Sequence, residues 1–301
     1  MWLSSDVLAR NNDSIVNVLM ILSASLSTGS CIWILLALKK LHPRYRNRLF
    51  PRQLWHLTFA DLLISTGALI YCPLRVFLPV WPPELSSWVC GICGFLLISG
   101  KLTTQFIEFH MAINFLAAFS RWKAVAFILQ RTLFLPWLVG IILSVLVSAS
   151  NPYHPSGNTP CCPGLAIWWE AMFGAMIFIL TSLVYVCACW RAFGYPRAVK
   201  RRATHMAFWY PVNFFLSFGP MWMYFFSREG WGLAKVSLAL SGFGNAVVYS
   251  CNSKYVTMER DDTNNCTDSE DLARWAGLAS FRVGFERQAQ VLEFSERRSE
   301  T

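Results

Sequence analysis

The chain has 301 residues, of which 55% are hydrophobic and only 14% charged, whereas a soluble domain carries charge on about 25% of its residues. Its net charge of +9 sits in short loops between apolar runs, which argues for an integral membrane protein and against nucleic acid as a partner. In chain order, seven runs are about long enough to cross roughly 30 Å of hydrocarbon at 1.5 Å per residue. They span Ile15 to Leu38, Leu54 to Val80, Trp88 to Phe119, Thr132 to Ser150, Ile167 to Trp190, His205 to Phe226 and Trp231 to Asn252. The expected fold is an all-α membrane protein, a seven-transmembrane helix bundle.

Lysine and arginine set the orientation. The loops after the first, third and fifth runs hold Lys39, Lys40, Arg44, Arg46, Arg48, Arg52, Arg121, Lys123, Arg131, Arg191, Arg197, Lys200, Arg201 and Arg202. The opposite side holds Arg10, Arg75 and Arg228. By the positive-inside rule the N-terminus is outside and the C-terminus cytoplasmic. Residues 1–14 are then an extracellular N-terminus, 15–252 the bundle and 253–301 a cytoplasmic tail. The first run lacks a basic flank before it and a small-residue cleavage site after it, so it reads as a span rather than a signal peptide. Asn12-Asp13-Ser14 becomes an extracellular glycosylation sequon, with Asn12 as the acceptor.

The third run organises the rest, because Lys101, Glu108, His110 and Asn114 stand inside it. Each ionisable group facing lipid costs about 2.5 to 3.5 kcal/mol on insertion scales, so this helix belongs inside the bundle. Lys101 and Glu108 are seven residues apart on one helical face. They are candidate ligand contacts; the alternative is that they neutralise neighbours within the bundle. Lys235, near the outer end of the seventh run, is a third candidate, with snorkelling to the outer surface as its alternative. Asp61 lies about 13 Å from the inner boundary and needs a partner, for which Asn245 is suited. Pro211 and Pro220 each remove a hydrogen bond from the sixth run and predict a hinge there. Gly242 and Gly244 allow the seventh run to bend or to approach a neighbour closely.

The ten cysteines show no zinc-ligand spacing with nearby histidines, and no metal or cofactor is expected. The five histidines are scattered without a nucleophile constellation, so no enzymatic activity is expected. Cys90 and Cys93 stand at the outer end of the third run and Cys161-Cys162 in the second outer loop, where an oxidising environment permits a disulfide. The tail from Glu259 to Leu272 is acidic and reads as disordered. The stretch from Asp271 to Phe294 has the pattern of an amphipathic helix for the inner leaflet.

Four stretches resemble, in order and spacing, the cyclic-AMP-receptor-like family of seven-helix G-protein-coupled receptors. They are the third run from Cys90 through Gly100 to Ala112-Ile113-Asn114, the second-run stretch Leu57-Thr58-Phe59-Ala60-Asp61-Leu62, the sixth-run Tyr210-Pro211 with Pro220, and Leu240 to Tyr249. The resemblance implies a plasma-membrane receptor that passes an extracellular small-molecule signal, such as an anionic ligand like cyclic AMP, to a heterotrimeric G protein. It also implies that Cys90 pairs with Cys161 or Cys162, and that Asn114, Asn245 and Tyr249 belong to an inner switch, to which Asp61 and Pro211 are added on the physical grounds above. Membrane lipids are the remaining expected partners. Two rival functions are weighed against this one. A transporter should show an internal repeat, and none is visible. A retinal-binding photoreceptor would use Lys235, but where a microbial pump is expected to place an acid the chain has Trp231.

Overall fold

In lipid, every backbone polar group must be satisfied within the protein, which leaves helices and closed barrels as the spanning structures. The computed structural model describes residues 3–41, 43–77, 83–150, 168–193, 197–227 and 231–250, and within them all regular structure is helical. The helices are α1 (Leu3–Lys40), α2 (Pro43–Arg46), α3 (Leu49–Phe77), α4 (Pro83–Ser120), α5 (Lys123–Arg131), α6 (Leu135–Ser150), α7 (Trp168–Ala192), α8 (Arg197–Ser227) and α9 (Trp231–Ala239). A single turn residue, Leu240, separates α9 from further helix over 241–250.

Four stretches are long and apolar enough to cross a membrane: Ile15–Lys40, Leu49–Leu74, Trp88–Ser120 and Met172–Ala192. A fifth forms if α5 and α6 count as one span, bent by 50°. The bend falls at Thr132–Phe134, so the helix expected from Thr132 begins at Leu135 instead. Pro136 in its first turn explains the start, because proline's missing N–H and fixed φ suit the beginning of a helix. The first helix likewise departs from the expected boundary, starting at Leu3 and so carrying Asn12 within α1. The sequon side chain itself lies outside the described residues, as do Cys161, Cys162, the second outer loop and the tail beyond residue 250.

The packing is a closed circuit. α1 rests on α3 and α9, α3 on α4, α4 on α7, α7 on α8, and α8 on α9, while α6 lies against α4. α4 is therefore the inner helix, with 72% of its most apolar window buried, against 28% in α1 and in α7. The outward faces are apolar, with Leu22 and Trp33 of α1, Leu138 and Leu146 of α6, Val186 and Trp190 of α7, and Leu216 and Met223 of α8 all exposed. A large outward apolar surface is what a lipid environment calls for and what water penalises.

Small residues set the helix spacing around α4. A Cβ placed on Gly100 would come within 2.8 Å of the backbone oxygen of Ala60 and of Ile64 Cγ1 on α3. A Cβ on Gly140 of α6 would overlap the Thr103 hydroxyl of α4. Gly100→Leu is thus expected to separate α3 from α4 and lower the melting temperature of the detergent-solubilised protein. An equal substitution at Gly29, which has open space around it, should leave melting nearly unchanged; similar losses at both sites would contradict this account.

Candidate functional site

Asp61 stands in the middle of α3 and is fully buried. A carboxylate withdrawn from water is costly unless hydrogen bonds replace its hydration. Three side chains on two helical segments supply them. Thr104 of α4 donates its hydroxyl to Asp61 Oδ1 at 3.3 Å, and Ser241 donates to the same oxygen at 3.1 Å. Asn245 Nδ2 donates to Oδ2 at 2.6 Å, the short distance expected of a charge-assisted bond. The chain of bonds continues to α8, where Asn213 Nδ2 donates to Asn245 Oδ1 at 2.7 Å. One acid thereby ties α3, α4, α8 and segment 241–250 together.

Glycines let the last segment come this close. Any side chain at Gly242 would meet Cys31 Sγ and Ser27 Oγ of α1 at 2.5 Å and Asp61 Cβ at 3.2 Å. One at Gly244 would overlap the side-chain amide of Asn213. The helical break at Leu240 falls immediately before Ser241, so the irregular turn, the donor and the glycines occupy one stretch.

A second polar cluster lies toward the end of α4 that the sequence places inside. Gln53 Nε2 contacts His110 Nδ1 at 2.7 Å and donates to the His110 carbonyl at 3.2 Å. Asn114 Nδ2 donates to Gln53 Oε1 at 2.9 Å, and His110 Nε2 is 3.4 Å from Thr132 Oγ1, at the bend between α5 and α6. Beside it, Trp137 of α6 donates to His56 Nδ1 at 3.0 Å.

The sequence-derived residues divide accordingly. Asp61 and Asn245 meet directly, whereas Asn114 belongs to the Gln53 cluster. Tyr249 packs edge-on against Trp33 with ring centroids 6.1 Å apart. Pro211 lies within an α8 that stays helical through both of its prolines, two residues before Asn213. Lys101 is buried, with Nζ 3.5 Å from Met221 Sδ of α8. Lys235 is also buried, at 7% exposure, and so does not snorkel to the surface. Position near a helix end suggested snorkelling, but α9 turns this side chain inward against its neighbours. Glu108 is buried, and its Oε2 has no hydrogen-bond partner among the described residues. Cys90 is buried, and Cys161 and Cys162, with which the resemblance pairs it, lie outside the described residues; Cys31, Cys93, Cys187 and Cys189 carry free thiols.

Sequence reasoning missed Thr104, Asn213, Ser241 and Gln53. Neutral polar residues in apolar runs give only a weak signal, although each had to find a partner once buried. Among the described residues no three His, Cys, Asp or Glu side chains gather as metal ligands. The chain matches no family model, and no curated protein matches it.

The bond pattern ranks the amides. Asn245→Ala removes a donor from a buried carboxylate and strands Asn213, so a loss of about 2 to 3 kcal/mol in unfolding stability is expected. Asn213→Ala leaves the Asp61 bonds intact and should cost about 1 kcal/mol. Denaturation in detergent compares them, and a larger loss at Asn213 would overturn the ranking.

Proposed function

We propose that this chain is a seven-helix G-protein-coupled receptor of the plasma membrane, with its N-terminus outside, responding to an extracellular small molecule. α1, α3, α4, the bent pair α5 and α6, α7, α8 and α9 with segment 241–250 serve as the seven spans. The observation that carries the reading is the hydrogen-bonded chain from Asp61 through Asn245 to Asn213. It joins α8, the helix that contains two prolines, to α3, and the bond from Thr104 to Asp61 carries it on to α4 at the centre of the bundle. Pro211 and Pro220 each remove one backbone bond from α8, so around Asn213 the helix is held by the side-chain network as well as by its own weakened ladder. A segment held that way has two arrangements separated by a few hydrogen bonds, which is the kind of element a ligand shifts by binding one arrangement better.

In this reading Lys101 and Lys235 are the candidate ligand contacts in the outer half, and the disulfide at Cys90 fastens the second outer loop through Cys161 or Cys162. The cytoplasmic ends of α4 and α8, with Asn114 and Tyr249 beside them, receive the G protein. Cyclic AMP and other small anionic metabolites are the first ligands to try.

Energy transfer between G-protein subunits in cells expressing the chain tests the proposal. A ligand-dependent change is expected for the unmodified chain. Asn245→Leu or Asp61→Leu should abolish it while the protein remains at the cell surface. Normal signalling in both variants would sink the role given to the network, and silence of the surface-expressed chain across ligands and G-protein classes would sink the receptor reading.

A further inference from the structure

Gln105 of α4 is 1% exposed, and neither Nε2 nor Oε1 of its amide has a hydrogen-bond partner among the described residues. Trp222 of α8 is 8% exposed, and its Nε1 is likewise without a hydrogen-bond partner there. Buried side-chain polar atoms are paired in the large majority of cases, and each exception calls for a physical account. These three occur together. Gly174 of α7 faces them, and a Cβ built on it would stand 2.9 Å from Gln105 Nε2, 3.5 Å from Gln105 Oε1 and 3.3 Å from Trp222 Nε1. Three helices thus bring two N–H donors and one carbonyl acceptor to a single spot, from which α7 withholds a side chain.

The make-up of this set selects a ligand chemistry. An anion is repelled by the Gln105 carbonyl and a cation by the two N–H groups, so the set suits a neutral group. A hydroxyl carries a matching count of one donor and two lone pairs. The two ends of one amide point side by side, however, and a single oxygen lies in line with only one of them. A carboxamide meets both. Its carbonyl oxygen accepts from Gln105 Nε2 and, through the second lone pair, from Trp222 Nε1, while its own N–H donates to Gln105 Oε1.

Apolar rings border the spot. Phe178 of α7 has its ring centroid 5.0 Å from that of Trp222, and it stacks on Phe214 of α8 with planes 7° apart. Gly174 follows the start of α7 at Trp168, and Trp222 precedes the end of α8 at Ser227, each within about 10 Å of the same end of the bundle.

We propose that Gln105, Trp222 and the backbone at Gly174 form a binding site for the carboxamide or lactam group of a small neutral ligand with a flat apolar body. The ligand enters from the end where α7 begins and α8 finishes. Lys101, one turn along α4 with Nζ 3.5 Å from Met221 Sδ, takes no part in this recognition. Such binding adds a ligand class to the receptor reading and does not itself require a G protein, so failure of either leaves the other standing.

Saturation-transfer NMR on the full chain in lipid nanodiscs, with benzamide as the probe at millimolar concentration, tests the site. Acetophenone and N,N-dimethylbenzamide keep the ring and the carbonyl but lack the N–H, and empty nanodiscs give the lipid background. Benzamide is expected to bind about tenfold more tightly than either analogue, the effect of one buried hydrogen bond, and Gln105→Leu should erase that preference. Gly174→Ala fills the cradle while displacing only the end of a flexible side chain, so it should lower benzamide binding by a similar factor. Benzamide binding no greater than the lipid background, equal binding of the three compounds, or a preference that survives Gln105→Leu would each overturn the proposal. Where Gln105→Leu does not fold, Gly174→Ala decides, and undiminished benzamide binding in that variant overturns the proposal equally.

Discussion

The contacts that tie α3, α4, α8 and the last helical segment together are arranged around the need to keep one carboxylate, Asp61, solvated without water. Removing its donors would leave an anion in a medium where isolated charge costs several kcal/mol. The donors come from α4 and from the segment after Leu240, and α8 holds one of them, Asn245, in place through Asn213. The helices that carry them must therefore pass close to α3, and the glycines at 242 and 244 exist where that approach leaves no room for a side chain. Electrostatics fixes which helices meet, and small residues fix how near they come.

The apolar contribution is less specific. Around the polar centre lie buried clusters such as Ile34, Leu54, Leu57, Ile107 and Met111 on one side and Phe214, Phe218, Met221 and Trp222 on the other. In a bilayer these side chains gain little from leaving lipid, which is as apolar as they are, so their value lies in close packing rather than in transfer from water. That shifts the burden of specificity onto hydrogen bonds and shape, and explains why neutral residues such as Thr104, Asn213 and Gln53 matter as much as the ionisable ones.

The same physics explains what could be read from the chain before folding. Helical character, the inner position of α4 and a buried partner for Asp61 were legible, because an ionisable residue in an apolar run admits few solutions. Asn245 was a suitable partner on the sequence, and the two side chains do meet. Thr104 and Asn213 were not, since a threonine or asparagine in a span is cheap enough to face several directions. The orientation of Lys235 was equally hidden, because a lysine near a helix end reaches either inward or outward depending on neighbours distant in sequence. The start of α6 at Leu135 rather than Thr132 did leave a trace, in Pro136.

The burial of Lys101, Glu108 and His110 along one helix bears on how the protein is made. A newly synthesised α4 released alone into lipid would carry these groups unshielded, at a cost of about 2.5 to 3.5 kcal/mol for each charged one. α3, made just before it, can offer Asp61 and Gln53 at once, but the α6 and α7 surfaces that complete its enclosure are synthesised later. α4 is thus the helix whose stable insertion waits on the rest of the chain, and biogenesis of this bundle is cooperative by construction rather than a succession of independently stable spans.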